Sequence, residues 1–424
     1  MQAFRDDTIV VVGGGLAGLA TAAYLARAGR AVTVLERAAA PGGRAQTTAA
    51  GGYRLNLGPH ALYRSAAGTG VLDELGVAHH GGIPTASGGY AIDRGTLHAL
   101  PGGFMSLLTT GLFGVGAKVE TAGLLTGLAR IDADALARTT VRTWLSEHIR
   151  HASVRSLVEG LFRLATYANA PGTMSAGLAI RQFQLALAHG VRYLDGGWQV
   201  LVDGLRTAAT GAGADLRTGT PIVGVEAHTD GGVAVLLGRG VTIKCAAAVL
   251  AVGGPAAVAS LLREPPRWGL IGPPATVACL DLGLRRRPGK PVLFGLSEPL
   301  YFSTHTPSAA LAPPGRWVAH VMRYGVRDAD TDRADLWAHA RVAGVDEDDV
   351  VEHRFLARMV VTHAVPVPGL GLAGRPRVDA PGVPGVYVAG DWVGPDGLLA
   401  DGALASGAAA GQQAADHAHH ELVR

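Results

Sequence analysis

Residues 9–18 read Ile-Val-Val-Val-Gly-Gly-Gly-Leu-Ala-Gly, and they decide the fold. Four consecutive branched aliphatics from Ile9 to Val12 predict a strand buried on both faces, as in parallel sheets. The turn that follows carries GxGxxG at Gly13, Gly15 and Gly18, with Leu16 and Ala17 opening a helix between them. Gly13 permits the tight turn, Gly15 lets a pyrophosphate approach the backbone at a helix N-terminus, and Gly18 lets helix and strand pack closely. The Ala/Leu-rich helix runs to Ala28, Gly29 stops it as a C′ residue, and Ala31–Leu35 reads as the second strand. Glu36, with Arg37 beside it, lies about twenty residues beyond the fingerprint, where a carboxylate accepts from adenosine-ribose hydroxyls. Strand, turn, helix, strand and acid together predict a Rossmann-like dinucleotide-binding unit.

The bulk of the chain sets limits around that unit. Its 424 residues suit two domains, one of them discontinuous. Hydrophobic residues make up 48% and charged residues 17%, a globular composition with a large core. The 37 basic and 34 acidic residues nearly cancel to +3, which leaves no electrostatic footprint for nucleic acid. Cys245 and Cys279 stand far apart and outside any CxxC, so disulfide, zinc and dithiol chemistry are not expected, and no metal-ligand cluster is evident. A reducing, cytoplasmic setting follows. The first apolar run leads straight into glycines and reads as a strand rather than an export signal.

Ala99 to Ala117 carries no charge, but Pro101, Gly102, Gly103, Gly111, Gly114 and Gly116 predict a loop and an apolar helix rather than a membrane span. As far as Leu128 only Lys118 and Glu120 are charged. So much contiguous apolar surface calls for a partner. The expectation is a peripheral contact with the inner face of the membrane, through Leu107 and Phe113.

Further along, residues 72–195 read mostly helical, and Val200–Gly211 is another helix. Ala247–Val252 and Val386–Ala389 read as buried strands, and alternating runs between 275 and 325 predict an antiparallel sheet. A final helix is expected over Gly402–His417, with Asp401 as its N-cap.

The fingerprint alone does not choose between NAD and FAD; the residues after it do. Pro41-Gly42-Gly43-Arg44 resembles the segment after the ribose-binding Glu in flavin amine oxidases, phytoene desaturases and protoporphyrinogen oxidases. The resemblance implies FAD, with Gly43 and Arg44 at its phosphate and ribityl region. Asn56-Leu57-Gly58-Pro59-His60 is similar to the loop that passes against the isoalloxazine, so Gly58, Pro59 and His60 become candidate flavin neighbours. Gly197-Trp198 resembles the middle segment that returns to the FAD domain, after which the backbone at Val223 is implied to meet adenine. Gly385–Trp392 resembles the strand ending in Gly390-Asp391, whose Asp is implied to bind the ribityl and phosphate region. Gly402 and Ala403 then place a helix N-terminus at the flavin's N1–C2=O edge, where its dipole favours the anionic reduced ring. His60 and His363 are the candidates for a chemical role.

The implied fold is α/β: a discontinuous FAD-binding domain over 1–75, 196–260 and 371–424, and an α+β substrate domain. That second domain is mostly helical over 76–195 and an antiparallel sheet over 261–370. The resemblance is nearest to phytoene-desaturase-like and hydroxysqualene-dehydroxylase-like enzymes. It implies hydride movement between flavin N5 and a carbon of a hydrophobic, isoprenoid-type small molecule, with oxygen, a quinone or a nicotinamide as electron acceptor. The alternatives are an amine oxidase, a redox-neutral isomerase and a non-enzymatic lipid-escort protein. An amine oxidase commonly uses a lysine near N5, and the chain has only Lys118, Lys244 and Lys290. No second GxGxxG appears for a separate nicotinamide domain.

Overall fold

The computed structural model describes residues 7–84, 88–100, 104–228 and 232–422. Ile9–Val12 is wholly buried and sits at the centre of a five-stranded parallel sheet. Its order is Asp215–Arg217, Val32–Leu35, Ile9–Val12, Ala247–Leu250 and Val386–Val388. Three distant stretches of chain therefore build one sheet. Helix Leu16–Arg27 packs on it, and the last helix, Leu399–Leu422, packs on both. Small residues set that approach. The Thr21 hydroxyl donates to the Gly407 carbonyl at 2.9 Å, and a Cβ on Gly407 would stand 2.5 Å from the Ala17 carbonyl oxygen.

A second sheet of seven strands runs Val350–Thr362, Ala275–Leu284, Trp317–Tyr324, Leu300–Thr304, Val292–Gly295, Tyr90–Asp93, Thr96–Ala99. All its pairings are antiparallel except Val292–Gly295 with Tyr90–Asp93. The period of two gives it distinct faces. Ala278, Leu280, Leu282, Phe302 and Val321 form one core with Leu336 and Ala340 of helix Ala329–Val342. Val277, Cys279, Tyr301, Met322 and Tyr324 form another, packed against Leu164 and Tyr167 of the helical part.

Two expectations are corrected here and one is refined. The 72–195 stretch holds helices over Phe104–Thr109, Val115–Leu128, Val141–His148, Ala152–Thr166 and Ala176–His189, and besides them Gly81–Gly82, Tyr90–Asp93, Thr96–Ala99 and Val191–Leu194 are strands. Arg94 and Gly95, at φ 48 and 79, form a two-residue hairpin turn between Asp93 and Thr96 that feeds an edge pair into the second sheet. The last helix starts at Leu399, so Asp401 is inside its first turn and is not its N-cap. Leu107 and Phe113 are buried in the helical core, at 6% and 5% exposure, and cannot insert anywhere. Among the described residues of this stretch the exposed large apolar side chains are Val115 and Val119, at 82% and 70%, on helix Val115–Leu128. Pro101, Gly102 and Gly103 lie outside the described residues. Among the described residues no helix is long and apolar enough to cross a membrane.

Candidate active site

The first sheet, the two helix N-termini and the inner face of the second sheet enclose one cavity of about 670 Å³. That volume falls in the range of small-molecule sites. One end is built by the fingerprint. Gly13 takes φ 105, and a Cβ there would stand 2.5 Å from the Ala251 carbonyl oxygen. A Cβ on Gly18 would sit even closer to the Gly13 carbonyl, so Gly18 serves packing and does not line the cavity. Gly15 differs: nothing lies within 4 Å of where its Cβ would be, and it lines the cavity with Leu16 and Ala17. A cradle that a side chain would fill, at the start of a helix, is what a dinucleotide pyrophosphate requires.

The Glu36 carboxylate ends the second strand and is held there by two amides. Gly14 N–H donates to Oε2 at 2.7 Å and Ala38 N–H to Oε1 at 2.8 Å. Glu36, Arg37, Gly43 and Arg44 all reach the cavity wall. Val223 does not. It is the bulged residue between Ile222, paired with Leu237, and Gly224, paired with Leu236, and its side chain is 59% exposed. Thr220 and Ile222 close that end instead, with Ser260 and Leu261.

Asp391 lies in the middle, fully buried and behind the wall rather than in it. Arg44 Nη2 donates to Oδ1 at 2.8 Å and Nη1 to Oδ2 at 3.3 Å. The His363 amide donates to Oδ2 at 3.0 Å, and its Nδ1 stands 2.9 Å from Oδ1. Burial alone would push this carboxyl up; Arg44 and His363 outweigh it and hold the group far below the usual carboxylate range. Arg44 and His363 themselves line the cavity, so Asp391 acts on its contents through them. The Nδ1 contact gives the Asp391 carboxylate a ring N–H donor beside the two guanidinium contacts. The His363 side chain packs closely on Gly254, where a Cβ would be 2.9 Å from the His363 Cβ and Cδ2.

At the far end Pro59 and His60 line the wall, while Gly58, at φ 80, backs onto Cys279. His60 Nδ1 is 3.0 Å from the Gly58 carbonyl, and its ring packs 4.8 Å from Trp198. Burial pushes His60 down to about 4, so it is a neutral imidazole near pH 7. Ala403 lines the cavity; Gly402 stands just behind it, against the Asp391 carbonyl and the Arg375 guanidinium.

Two contributors, Arg375 and Tyr167, escaped the sequence reading, and a third, Asp401, has a role other than the N-cap expected of it. Asp401 faces the cavity, accepts from the Gly68 amide at 3.1 Å and is pushed up to about 7 by burial. Arg375 donates to the Gly397 carbonyl at 2.8 Å behind the same helix end, and burial pushes it down to about 10. Tyr167 lines the far end with Val277, Cys279, Met322 and Met359. Nothing local in the sequence marks Arg375 or Tyr167, or the buried role of Asp401, because long-range packing puts them there.

The residues present fit FAD. The open cradle at Gly15 and the anchored Glu36 suit its ADP half, and Arg44 and His363 suit its charged middle. The apolar lining at the far end, with Pro59, Val277, Met322 and Met359, suits the ring. Among the described residues no cluster of His, Cys, Asp and Glu could hold a metal.

A sequence profile described as "Flavin containing amine oxidoreductase" matches residues 16–415. A 56-residue segment is 57% identical to phytoene dehydrogenase of Streptomyces griseus, covering 13% of this chain and 11% of that protein. The matched part is thus a small fraction of that curated relative's length. An oxidoreductase from Methanosarcina mazei has the same fold over 96% of this chain and all of its own, at 18% identity and a TM-score of 0.73. Cyclohexylamine oxidase from Brevibacterium oxydans matches at 18% identity and a TM-score of 0.69, over 99% of this chain and 100% of its own.

Proposed function

The chain belongs to the flavin-containing amine oxidoreductase family and is an FAD-dependent oxidoreductase; from that premise we propose that it moves a hydride between the flavin and a carbon of a neutral, hydrophobic small molecule of isoprenoid type. The observation that carries this reading is the far end of the cavity. Its wall is made of Pro59, Tyr63, Val277, Cys279, Met322 and Met359, with His60 neutral. None of the three lysines lines the cavity, and Lys290 donates to the Val342 carbonyl elsewhere. Of the two carboxyls that line the cavity, Glu36 is held by backbone amides at the fingerprint end and Asp401 stays protonated up to about pH 7, while Asp281, behind the wall near His60, is already paired with His320 and Arg354. An ammonium substrate would find no counter-charge there, which favours a neutral substrate over an amine.

When bound, FAD supplies the hydride acceptor or donor. The protein's share is placement and exclusion. Gly15 and Glu36 hold the ADP half, Arg44 and His363 the phosphate and ribityl region, and Gly58-Pro59-His60 offers a flat face to the ring. The first turn of the last helix, with Ala403 in the wall and Arg375 behind it, presents positive potential to whatever negative charge builds up there. The apolar wall keeps water from the reacting carbon. A peripheral membrane contact, if the enzyme collects its substrate from lipid, has Val115 and Val119 to use. Oxygen, a quinone or a nicotinamide re-oxidises the flavin, and anaerobic mixing with each identifies the acceptor.

The test is anaerobic mixing of oxidised or dithionite-reduced holoprotein with a panel of terpenoids and amines. Flavin bleaching or recolouring by at least one neutral terpenoid is expected. A response confined to amines overturns the reading.

A further inference from the structure

Tyr167 ends helix Ala152–Thr166 with φ 54 and ψ 24, the left-handed conformation that helix ends normally give to glycine. A tyrosine pays for that geometry, and a non-glycine residue held there points to a use for its side chain. The side chain lines the far end of the cavity and packs on the Cys279, Met322 and Tyr301 face of the second sheet.

Its neighbours sharpen the point. Five phenols gather here: Tyr63, Tyr167, Tyr193, Tyr301 and Tyr324. The Tyr63 hydroxyl donates to the Ala165 carbonyl at 2.7 Å. Tyr193 and Tyr301 stand near Tyr167 but do not line the cavity. The Tyr324 hydroxyl is buried without a partner, but Tyr324 lies behind the wall. Tyr167 is therefore the phenol that reaches the cavity wall with no hydrogen-bond partner among the described residues. Burial first, and the other phenols after it, hold it protonated, so it is a donor at any physiological pH.

A hydrocarbon filling this end would leave that donor unmet, which is unfavourable in a dry site. Building on the neutral, apolar reading above, we propose that Tyr167 is a specificity-determining residue whose hydroxyl donates to a neutral oxygen of the substrate, a hydroxyl, carbonyl or ether. The substrate class narrows from hydrophobic molecules at large to oxygen-bearing ones. The strained helix end is what aims the phenol.

The experiment titrates oxidised holoprotein with farnesol, with its matched hydrocarbon farnesene and with cyclohexylamine, following perturbation of the flavin spectrum. Farnesol is expected to bind between about five- and a hundredfold more tightly than farnesene. Tyr167→Phe should bring farnesol to the farnesene value and leave farnesene unchanged. Farnesene binding as well as farnesol in the wild-type protein overturns the proposal while sparing the apolar reading, and it needs no variant to fold. The proposal also falls if Tyr167→Phe protein with full FAD content keeps the preference. If only cyclohexylamine perturbs the flavin, the apolar reading falls and takes this proposal with it.

Discussion

Gly15→Ala separates binding of the cofactor from integrity of the fold. The backbone at Gly15 has φ −78 and ψ −176, which any residue adopts, and nothing lies within 4 Å of the added Cβ. The substitution strains no contact and reduces the freedom of the unfolded chain. Apo-protein stability should therefore hold or rise, by about 0.4–1 kcal/mol. The same methyl projects into the cradle where the pyrophosphate must meet the backbone. Overpacking a close-fitting site costs about 1–3 kcal/mol, or about five- to 150-fold in FAD affinity. Gly13→Ala is the contrast. Its Cβ would stand 2.5 Å from the Ala251 carbonyl oxygen at φ 105, so the fold itself must give way. Thermal melts of the apo-proteins and FAD titrations by fluorescence quenching measure both quantities. A Gly15→Ala protein that binds FAD like wild type, or whose apo form melts well below it, would refute the placement of the pyrophosphate.

Asp391→Ala strips Arg44 and His363 of their shared acceptor; Arg44 is 41% exposed and regains water, so the loss is that of charge-assisted hydrogen bonds, about 1.5–3 kcal/mol, and FAD should be lost on dialysis and the melting temperature should drop. Full FAD content after dialysis would count against it. Asp401 binds its proton up to about pH 7 in the folded protein, against 3.8 for an ordinary Asp, so the folded state holds more protons in that window and stability falls as pH rises through it. Asp401→Asn should remove that fall, by at most about 4 kcal/mol above pH 7; melts of both proteins at pH 5 and pH 8 compare the two, and an unchanged difference contradicts the prediction. In vesicle flotation, Val115→Glu with Val119→Glu should abolish salt-resistant binding and keep FAD, whereas Leu107→Glu should unfold the helical core. Wild-type protein that never floats sinks the membrane contact.

What could be read from the residues follows from how local each constraint is. Gly13, Gly15, Gly18 and Glu36 answer to the backbone of one βαβ unit, so their spacing alone announced them. Val223 stands outside the cavity lining, at a bulge that shifts the register by one residue, and no residue type marks a bulge there. The Tyr90–Ala99 hairpin hid because its turn is Arg94-Gly95, a less telling pair than Asn-Gly or Asp-Gly. Leu107 and Phe113 appeared as surplus apolar surface because their partners in the helical core, Trp144 and Phe162 among them, lie far along the chain. Asp401, Arg375 and Tyr167 owe their character to burial by distant segments.

The central claim is that a hydride moves between the flavin and a carbon of a neutral apolar molecule. Its most direct measurement is the anaerobic rate of the flavin absorbance change with whichever terpenoid of the panel responds, compared with that of its perdeuterated form. A hydride leaving that carbon for the oxidised flavin predicts a clearly slower rate with deuterium; in the reverse direction, flavin deuterated at its transferable position should slow recolouring and leave the label on the product carbon. A flavin that answers only to amines, or label that never appears in the carbon skeleton, would contradict the account.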